Sequence, residues 1–325
     1  MNALPADLAA VCRRMKTERS AGLAVHERPD MDALGAAAGM LDLFAQLGVE
    51  THLHVDRDEV LPLEEVLFPL GTVTRDLPPA RRPLYALDCG SLERLALPLE
   101  SWDGVVVNID HHHDNKLFGD VVYVRAEASS TSELVCDIAR ALGLWPSPHA
   151  AWALFAGISF DTGHFRHNST SAATLETAAW LAGLGVDVTG VFSMLHEQGS
   201  VEALRLWARA IAGAQVVAGG RALVATLQRG DYAAVGAGEE ETEGIVDSLR
   251  AVGGVEVAAL VKEQSRGSRV RVSLRSNACD VSEIAALQGG GGHRLAAGFS
   301  SDDGPEEVTA WLSSELEKRL STASC

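Results

Sequence analysis

"WDGVVVNIDHHHDN" (residues 102–115) joins an apolar run to a burst of imidazoles and carboxylates. Its first part, "GVVVNID" (104–110), holds three successive valines and no charge before Asp110. That is the pattern of a strand buried on both faces. The same change of character recurs upstream, where "AGLAV" (21–25) runs into "HERPDMD" (26–32) and "PLYALD" (83–88) into "CGS". "THLHV" (51–55) is a further strand. Helical patterns separate and follow these strands: "ALGAAAGMLDLFAQLG" (33–48), closed by a glycine after its last turn, and "SSTSELVCDIARALG" (129–143), with Ser130 and Glu133 at capping-box spacing. "HAAWALFAGISFD" (149–161) and "TSAATLETAAWLAGLG" (170–185) continue the series. Buried strands interleaved with helices predict an α/β fold, a mainly parallel sheet with helices on both faces.

A chain of 325 residues exceeds one ordinary core and suits two domains. The first is expected over 1–190 and a helical linker over 191–215. A smaller mixed-sheet α/β domain is expected over 216–325, with strands at "RALVATL" (221–227), "VEVAALVKE" (255–263), "SRVRVSLRS" (268–276) and "AAGFS" (296–300). No apolar run reaches the roughly 18 residues of a membrane span, and the N-terminus lacks a signal-like apolar core, so a cytoplasmic protein is expected. Five cysteines without a C-x-x-C pair argue against a thiolate zinc site. The net charge of −17 gives no general attraction to polyanions, which disfavours sequence-independent binding of duplex DNA. Any affinity for a phosphorylated ligand needs a metal or a local basic patch. Lys262, Arg266, Arg269, Arg271 and Arg275, set against the single acid Glu263, make one such patch.

In open α/β sheets, ligands sit beyond the carboxyl ends of the strands. Parallel strands would therefore bring His26, Asp30, Asp32, Asp88, the Asp110–His113 run and Asp161 to one edge. Aspartates packed together without a cation raise one another's pKa values, and divalent cations remove the conflict. An oxygen-rich set with few imidazoles favours Mn²⁺ or Mg²⁺ over structural zinc. The number of ligands suits two ions about 4 Å apart, an arrangement fitted to attack on phosphorus. In the second domain, "QGGGGHRLAAG" (288–298) lets backbone N–H groups approach an anion, with His293 as a further donor. Strand alternation puts Arg271, Ser273 and Arg275 on one face.

These stretches resemble the DHH phosphoesterase family. "DHH" (110–112) is its name-giving motif. "HERPDMDALG" (26–35) resembles its first motif, "LDCGS" (87–91) its second and "FDTGHF" (160–165) its fourth. "GGGGHRLAAG" (289–298) with "VSLRS" (272–276) is similar to the DHH-associated C-terminal domain. The chain's size resembles the NrnA-type nanoRNases and linear-dinucleotide phosphodiesterases of that family.

The resemblance implies a hydrolase with two Mn²⁺ per active site, Mg²⁺ or Co²⁺ being substitutes. His26 and Asp30 would bind one ion, Asp32, His111 and Asp161 the other, and Asp88 both. Asp110 would orient the site and His112 would face the scissile phosphate. Asn115, Arg275, Ser276, Gly290, Gly291, Gly292 and His293 would hold the substrate, in a cleft between the domains. Implied substrates are short single-stranded RNA or DNA oligonucleotides and linear dinucleotides (pApA, pGpG), released as mononucleotides, with pAp 3′-phosphatase activity beside them. A homodimer is the assembly that related proteins suggest. Met31 stands where the family usually has glycine, the resemblance gives His113 no role, and His164 lies near enough in sequence to reach the site. Two other readings are a manganese inorganic pyrophosphatase, against which the glycine run speaks, and a non-catalytic nucleotide sensor, against which the full ligand set speaks.

Overall fold

The computed structural model describes residues 4–321, apart from 70–71, 78–80, 96, 98–102 and 265–268. The chain divides into two compact units between Gln198 and Gly199.

The first unit opens with α1 (Ala6–Met15), β1 (Ser20–Ala24), α2 (Met31–Gln46), β2 (Glu50–His54), the short α3 (Glu64–Leu67), β3 (Val73–Thr74) and β4 (Leu84–Leu87). It continues through β5 (Val106–Asp110), β6 (Val121–Val124), α4 (Thr131–Leu142), α5 (Pro148–Asp161), α6 (Ala172–Gly183) and α7 (Val188–His196). The six strands form one sheet in the order β3-β2-β1-β4-β5-β6, every pair parallel. Alternation divides their side chains between two cores. Leu23, Tyr85, Leu87, Val107 and Ile109 join α1, α2, α4 and α5 in the large one. Ala24, Leu84 and Ala86 face the opposite way, onto Cys89, Leu95 and Leu97 of the segment after β4. No helical residue takes part in that smaller cluster among the described residues. The strand order reverses direction between β1 and β4, the position at which such sheets form a ligand crevice.

The second unit contains α8 (Val201–Ala212), β7 (Gln215–Val217), β8 (Ala222–Leu227), α9 (Arg229–Val235), α10 (Ile245–Arg250), β9 (Val257–Glu263) and β10 (Val270–Ser276). α11 (Val281–Ala286), β11 (Gly291–His293), β12 (Ala296–Ser301) and α12 (Pro305–Ser321) complete it. Its sheet order is β11-β12-β10-β9-β8-β7, mixed because β8 and β9 are parallel and the other pairs antiparallel. Leu312, Leu316 and Leu320 of α12 pack with Val224, Val272, Leu274 and Phe299 on one face. α8, α9 and α10 bury Ala225, Leu227, Ala258 and Leu260 on the other. Both sheets belong to the α/β class. No single helix among the described residues is long and apolar enough to cross a membrane.

Candidate metal centre and active site

Parallel pairing brings the ends of β1, β4 and β5 to one edge, and each strand releases a potential ligand there. His26 follows β1, Asp88 follows β4, and Asp110 closes β5 with His111 and His112 behind it. α2 starts at the same edge and supplies Asp30 and Asp32; α5 ends there on Asp161.

The donor atoms converge. His26, Asp30 and Asp88 each offer one within 4.8 Å of the others, and so do Asp32, His111 and Asp161. A third group of the same span is Asp88, His111 and His112. Asp88 is 3.6 Å from His26 Nε2 through Oδ2 and 3.6 Å from His111 Nε2 through Oδ1, so its two oxygens point into two groups. His111 Nε2 also lies 3.0 Å from Asp161 and 4.0 Å from Asp32.

Neighbouring atoms hold each ligand in place. Asp30 caps α2, its Oδ1 accepting from the N–H groups of Asp32 and Ala33 at 3.0 and 3.2 Å. The first two N–H groups of α4 donate to Asp32, Thr131 to Oδ2 at 2.6 Å and Ser132 to Oδ1 at 2.9 Å. The helix N-terminus thus partly compensates a carboxylate with no solvent exposure. Thr131 Oγ1 donates to Asp88 at 2.9 Å. His26 places Nδ1 2.8 Å from the Glu27 carbonyl, which assigns the proton to Nδ1 and leaves Nε2 for an ion. Asp88 holds a left-handed φ of 56°, strain of the kind that collects at working residues.

The electrostatics of the group call for positive charge. Burial, then the charges of Asp88 and Asp161, raise the Asp30 carboxyl, and the same causes push Asp32 well above the usual range. Burial also acts to raise Asp88, but His26 beside it and the charges of His111 and His112 outweigh it and hold Asp88 low. Burial opposes a charged His111, yet Asp161, Asp32 and Asp88 together push it up to about 10. Among the described residues no lysine or arginine is ion-paired with Asp30, Asp32, Asp88, Asp110 or Asp161; the partners are histidines. Hard carboxylate oxygens and neutral imidazoles are a fitting donor set for divalent Mn or Mg.

Asp110, fully buried, stands behind this group. Its Oδ1 accepts from the His111 N–H at 2.8 Å and lies 2.7 Å from His112 Nδ1. Its Oδ2 accepts from Asn115 Nδ2 at 2.6 Å, and the same amide reaches Asn108 Oδ1 at 2.8 Å. Asn108, buried in the middle of β5, donates to the Cys89 carbonyl at 3.1 Å. Asn115 Oδ1 accepts from the Leu117 N–H. Asn115 is therefore engaged with Asp110 and its surroundings. Sequence reasoning missed Asn108, Thr131 and Ser132. The signals were an amide inside an apolar strand and the hydroxyl run "SSTS", read only as a helix start.

His113 is exposed. His164 turns from the centre: its Nδ1 lies 2.9 Å from Ser159 Oγ and its ring packs on Phe192 at 4.4 Å. Met31 is a buried member of the large core, the first residue of α2. In the second unit, Gly291, Gly292 and His293 form the exposed strand β11, preceded by Gly290. Arg275 is half-buried on β10, 3.6 Å from Asp247. Ser276 is not beside it. Alternation sends its Oγ inward, to donate to the Glu256 carbonyl and accept from the N–H groups of Ala278 and Cys279. Ser273 is the hydroxyl that shares Arg275's face.

Residues 22–158 match the DHH family N-terminal domain, and 219–322 match the DHHA1 domain. The "Bifunctional oligoribonuclease and PAP phosphatase NrnA" of Thermus thermophilus is 32% identical over 85% of this chain and 82% of its own. The chain belongs to the DHH family. As a DHH-family chain with a DHHA1 domain it is a metal-dependent phosphoesterase hydrolase. The Bacillus subtilis protein of the same name is 25% identical over 85% of this chain and 87% of its own. The DHH fold extends to an exopolyphosphatase-related protein from Bacteroides fragilis, with a TM-score of 0.83 at 20% identity and 99% of both chains covered.

Proposed function

We propose that this DHH phosphoesterase degrades short single-stranded oligonucleotides and linear dinucleotides to mononucleotides in a manganese-dependent reaction, and removes the 3′-phosphate of pAp. The observation that carries the reading is Asp88. One carboxylate takes part in two ligand groups, His26–Asp30 on one side and His111 on the other. The names of the Thermus and Bacillus relatives, each covering more than four-fifths of its own length, support the substrate class.

His26, Asp30 and Asp88 would hold one cation, and Asp32, His111, Asp161 and Asp88 the second. Two divalent cations there would supply charge on the phosphoryl oxygens and a water activated near neutral pH. The remaining work falls to the chain itself. Asp110 holds His112 Nδ1, so that Nε2 is the nitrogen available to the phosphoryl group or the leaving oxygen. Asn115 and the His111 N–H fix Asp110 in turn. The P–O ester bond breaks as water adds to phosphorus, and the departing oxygen takes a proton. In the second unit, Arg275, Ser273 and the β11 glycines with His293 would bind the far end of the substrate. Asn115 supports Asp110 in this scheme, and Ser276 stays structural.

The test is product release from pApA, pAp and inorganic pyrophosphate in Mn²⁺, beside 5′- and 3′-labelled RNA ladders. Cleavage of pApA and the short ladders without pyrophosphate hydrolysis is the expected result; the reverse would make the chain a pyrophosphatase. Asp88→Ala should lower turnover by far more than the roughly 10–100-fold typical of losing a group behind the ligands. Titration calorimetry of that variant with Mn²⁺ should show weakened binding of both ions.

A further inference from the structure

Residues 128–132, at the start of α4, serve one of the two ligand groups and not the other. The Ala128 carbonyl lies 3.4 Å from His111 Nδ1, which leaves Nε2 toward Asp161. The N–H groups of Thr131 and Ser132 hold Asp32. Thr131 Oγ1 donates to Oδ1 of Asp88, the oxygen that faces His111, and not to Oδ2, which faces His26. His26 and Asp30 find their hydrogen-bond partners elsewhere, at Glu27 and in the first turn of α2.

Behind this segment stands a carboxylate that the chemistry above does not use. Glu133 is 5% exposed. Its Oε2 accepts from the Ser129 N–H at 3.1 Å, from Ser129 Oγ at 2.5 Å and from Thr174 Oγ1 at 2.9 Å. None of these donors is a cation, and a buried carboxylate without one is costly. Capping does not account for it. Ser130 Oγ already caps α4, accepting from the Glu133 N–H at 3.1 Å. In a capping box the glutamate would turn back to the N–H of Ser130 itself. Here it reaches one residue further, and across to α6, where Thr174 is locked by a capping box with Ser171. Glu133 therefore pins the segment at Ser129 and ties it to the start of a second helix.

We infer that Glu133 is a positioning residue for the second cation: it holds residues 128–132 so that His111, Asp32 and Oδ1 of Asp88 keep their relative places. It has no comparable hold on the first cation, whose own ligands His26 and Asp30 do not touch the segment. The inference rests on the two-cation reading of the proposed function and adds an asymmetry between the two ions.

The experiment uses the full chain in two backgrounds, each titrated with Mn²⁺ by calorimetry. Asp161→Ala breaks the Asp32–His111–Asp161 group and leaves His26, Asp30 and Asp88 complete; His26→Ala does the reverse. Adding Glu133→Ala to His26→Ala should weaken Mn²⁺ binding roughly tenfold, the lower end for groups that orient ligands. Adding it to Asp161→Ala should change binding by less than about twofold. Glu133→Gln keeps an acceptor oxygen in place and should recover most of the loss. Ser129→Ala and Thr174→Val each remove one donor and should give smaller losses in the His26→Ala background alone, so the test stands even where Glu133→Ala fails to fold. Thermal melts in EDTA accompany the titrations. A lowered melting temperature with unchanged Mn²⁺ affinity in both backgrounds would reduce Glu133 to a structural role. Equal losses in both backgrounds would remove the asymmetry, and either result overturns the inference. Two Mn²⁺ bound by the wild type and cleavage of pApA, beside either result, would leave the proposed function standing. The expected Glu133 dependence in a wild type that cleaves none of pApA, pAp or the RNA ladders would sink the proposed function alone. A wild type that binds no Mn²⁺ would sink both.

Discussion

Asp110 shows how much of a site lies behind the groups that touch the reactants. Its two oxygens are occupied by three neighbours, and one of these, Asn115, is itself held by Asn108. Asn108→Leu keeps the size of a buried side chain but leaves the Asn115 amide and the Cys89 carbonyl short of a partner. It is expected to cost about 1–3 kcal/mol of stability. Turnover of pApA should fall roughly 10–100-fold, mostly in kcat, as for other partners that orient working groups. A kcat loss with unchanged Mn²⁺ affinity in calorimetry would separate this role from ligand loss. His113→Ala, at an exposed position one residue beyond, should leave kcat/KM within about twofold. The converging aspartates and histidines were legible in the sequence, because clustered charge directly after a buried parallel strand marks the sheet edge where ligands bind. Asn108 was not, because one amide in a strand reads like any polar interruption. Ser276 shows a different limit: in a strand, a shift of one residue exchanges the ligand face for the core.

At the scale of elements, the ligands depend on how closely α2, α4 and α5 approach. Gly35 of α2 allows contact with α5, since a Cβ there would lie 2.5 Å from the Ala153 carbonyl. Gly157 of α5 does the same for α4: a Cβ would collide with Ser132 Oγ and come within 3.0 Å of Asp32 Oδ1. Gly157→Ala, a better helix former in isolation, is therefore expected to destabilise the protein by about 1–3 kcal/mol through overpacking. It should also weaken Mn²⁺ binding by moving Asp32, which thermal melts with and without the ion would detect. The sequence announced these helices by their apolar patterns. It did not announce why the run "ALGAAAGM" is so rich in small residues, a reason that exists only once another helix lies against it. Short strands such as β3, β6, β7 and β11 escaped for lack of length. In the glycine run, Gly292 at φ 139° would press a Cβ to 2.6 Å from the Ala296 carbonyl, so it serves the β11–β12 pairing as well as any ligand.

For the whole molecule, two units with separate cores imply two melting transitions, of which only one should respond to metal. Calorimetric scans in Mn²⁺ at about 100 times the dissociation constant should show the first unit stabilised by roughly 2.7 kcal/mol per ion. EDTA should reverse the shift, and the second transition should remain where it was. Equal movement of both transitions would contradict the assignment of all metal ligands to the first unit. The order of the first sheet has a consequence for how the protein comes into being. Its central pair joins β1 to β4 across the intervening β2 and β3, and Asp161 arrives after all six strands have been synthesised. Contacts of such separation form late. No fragment that ends before Asp161 can present the full coordination shell, so ion capture would report completion of the first unit's fold and stay silent on every intermediate before it.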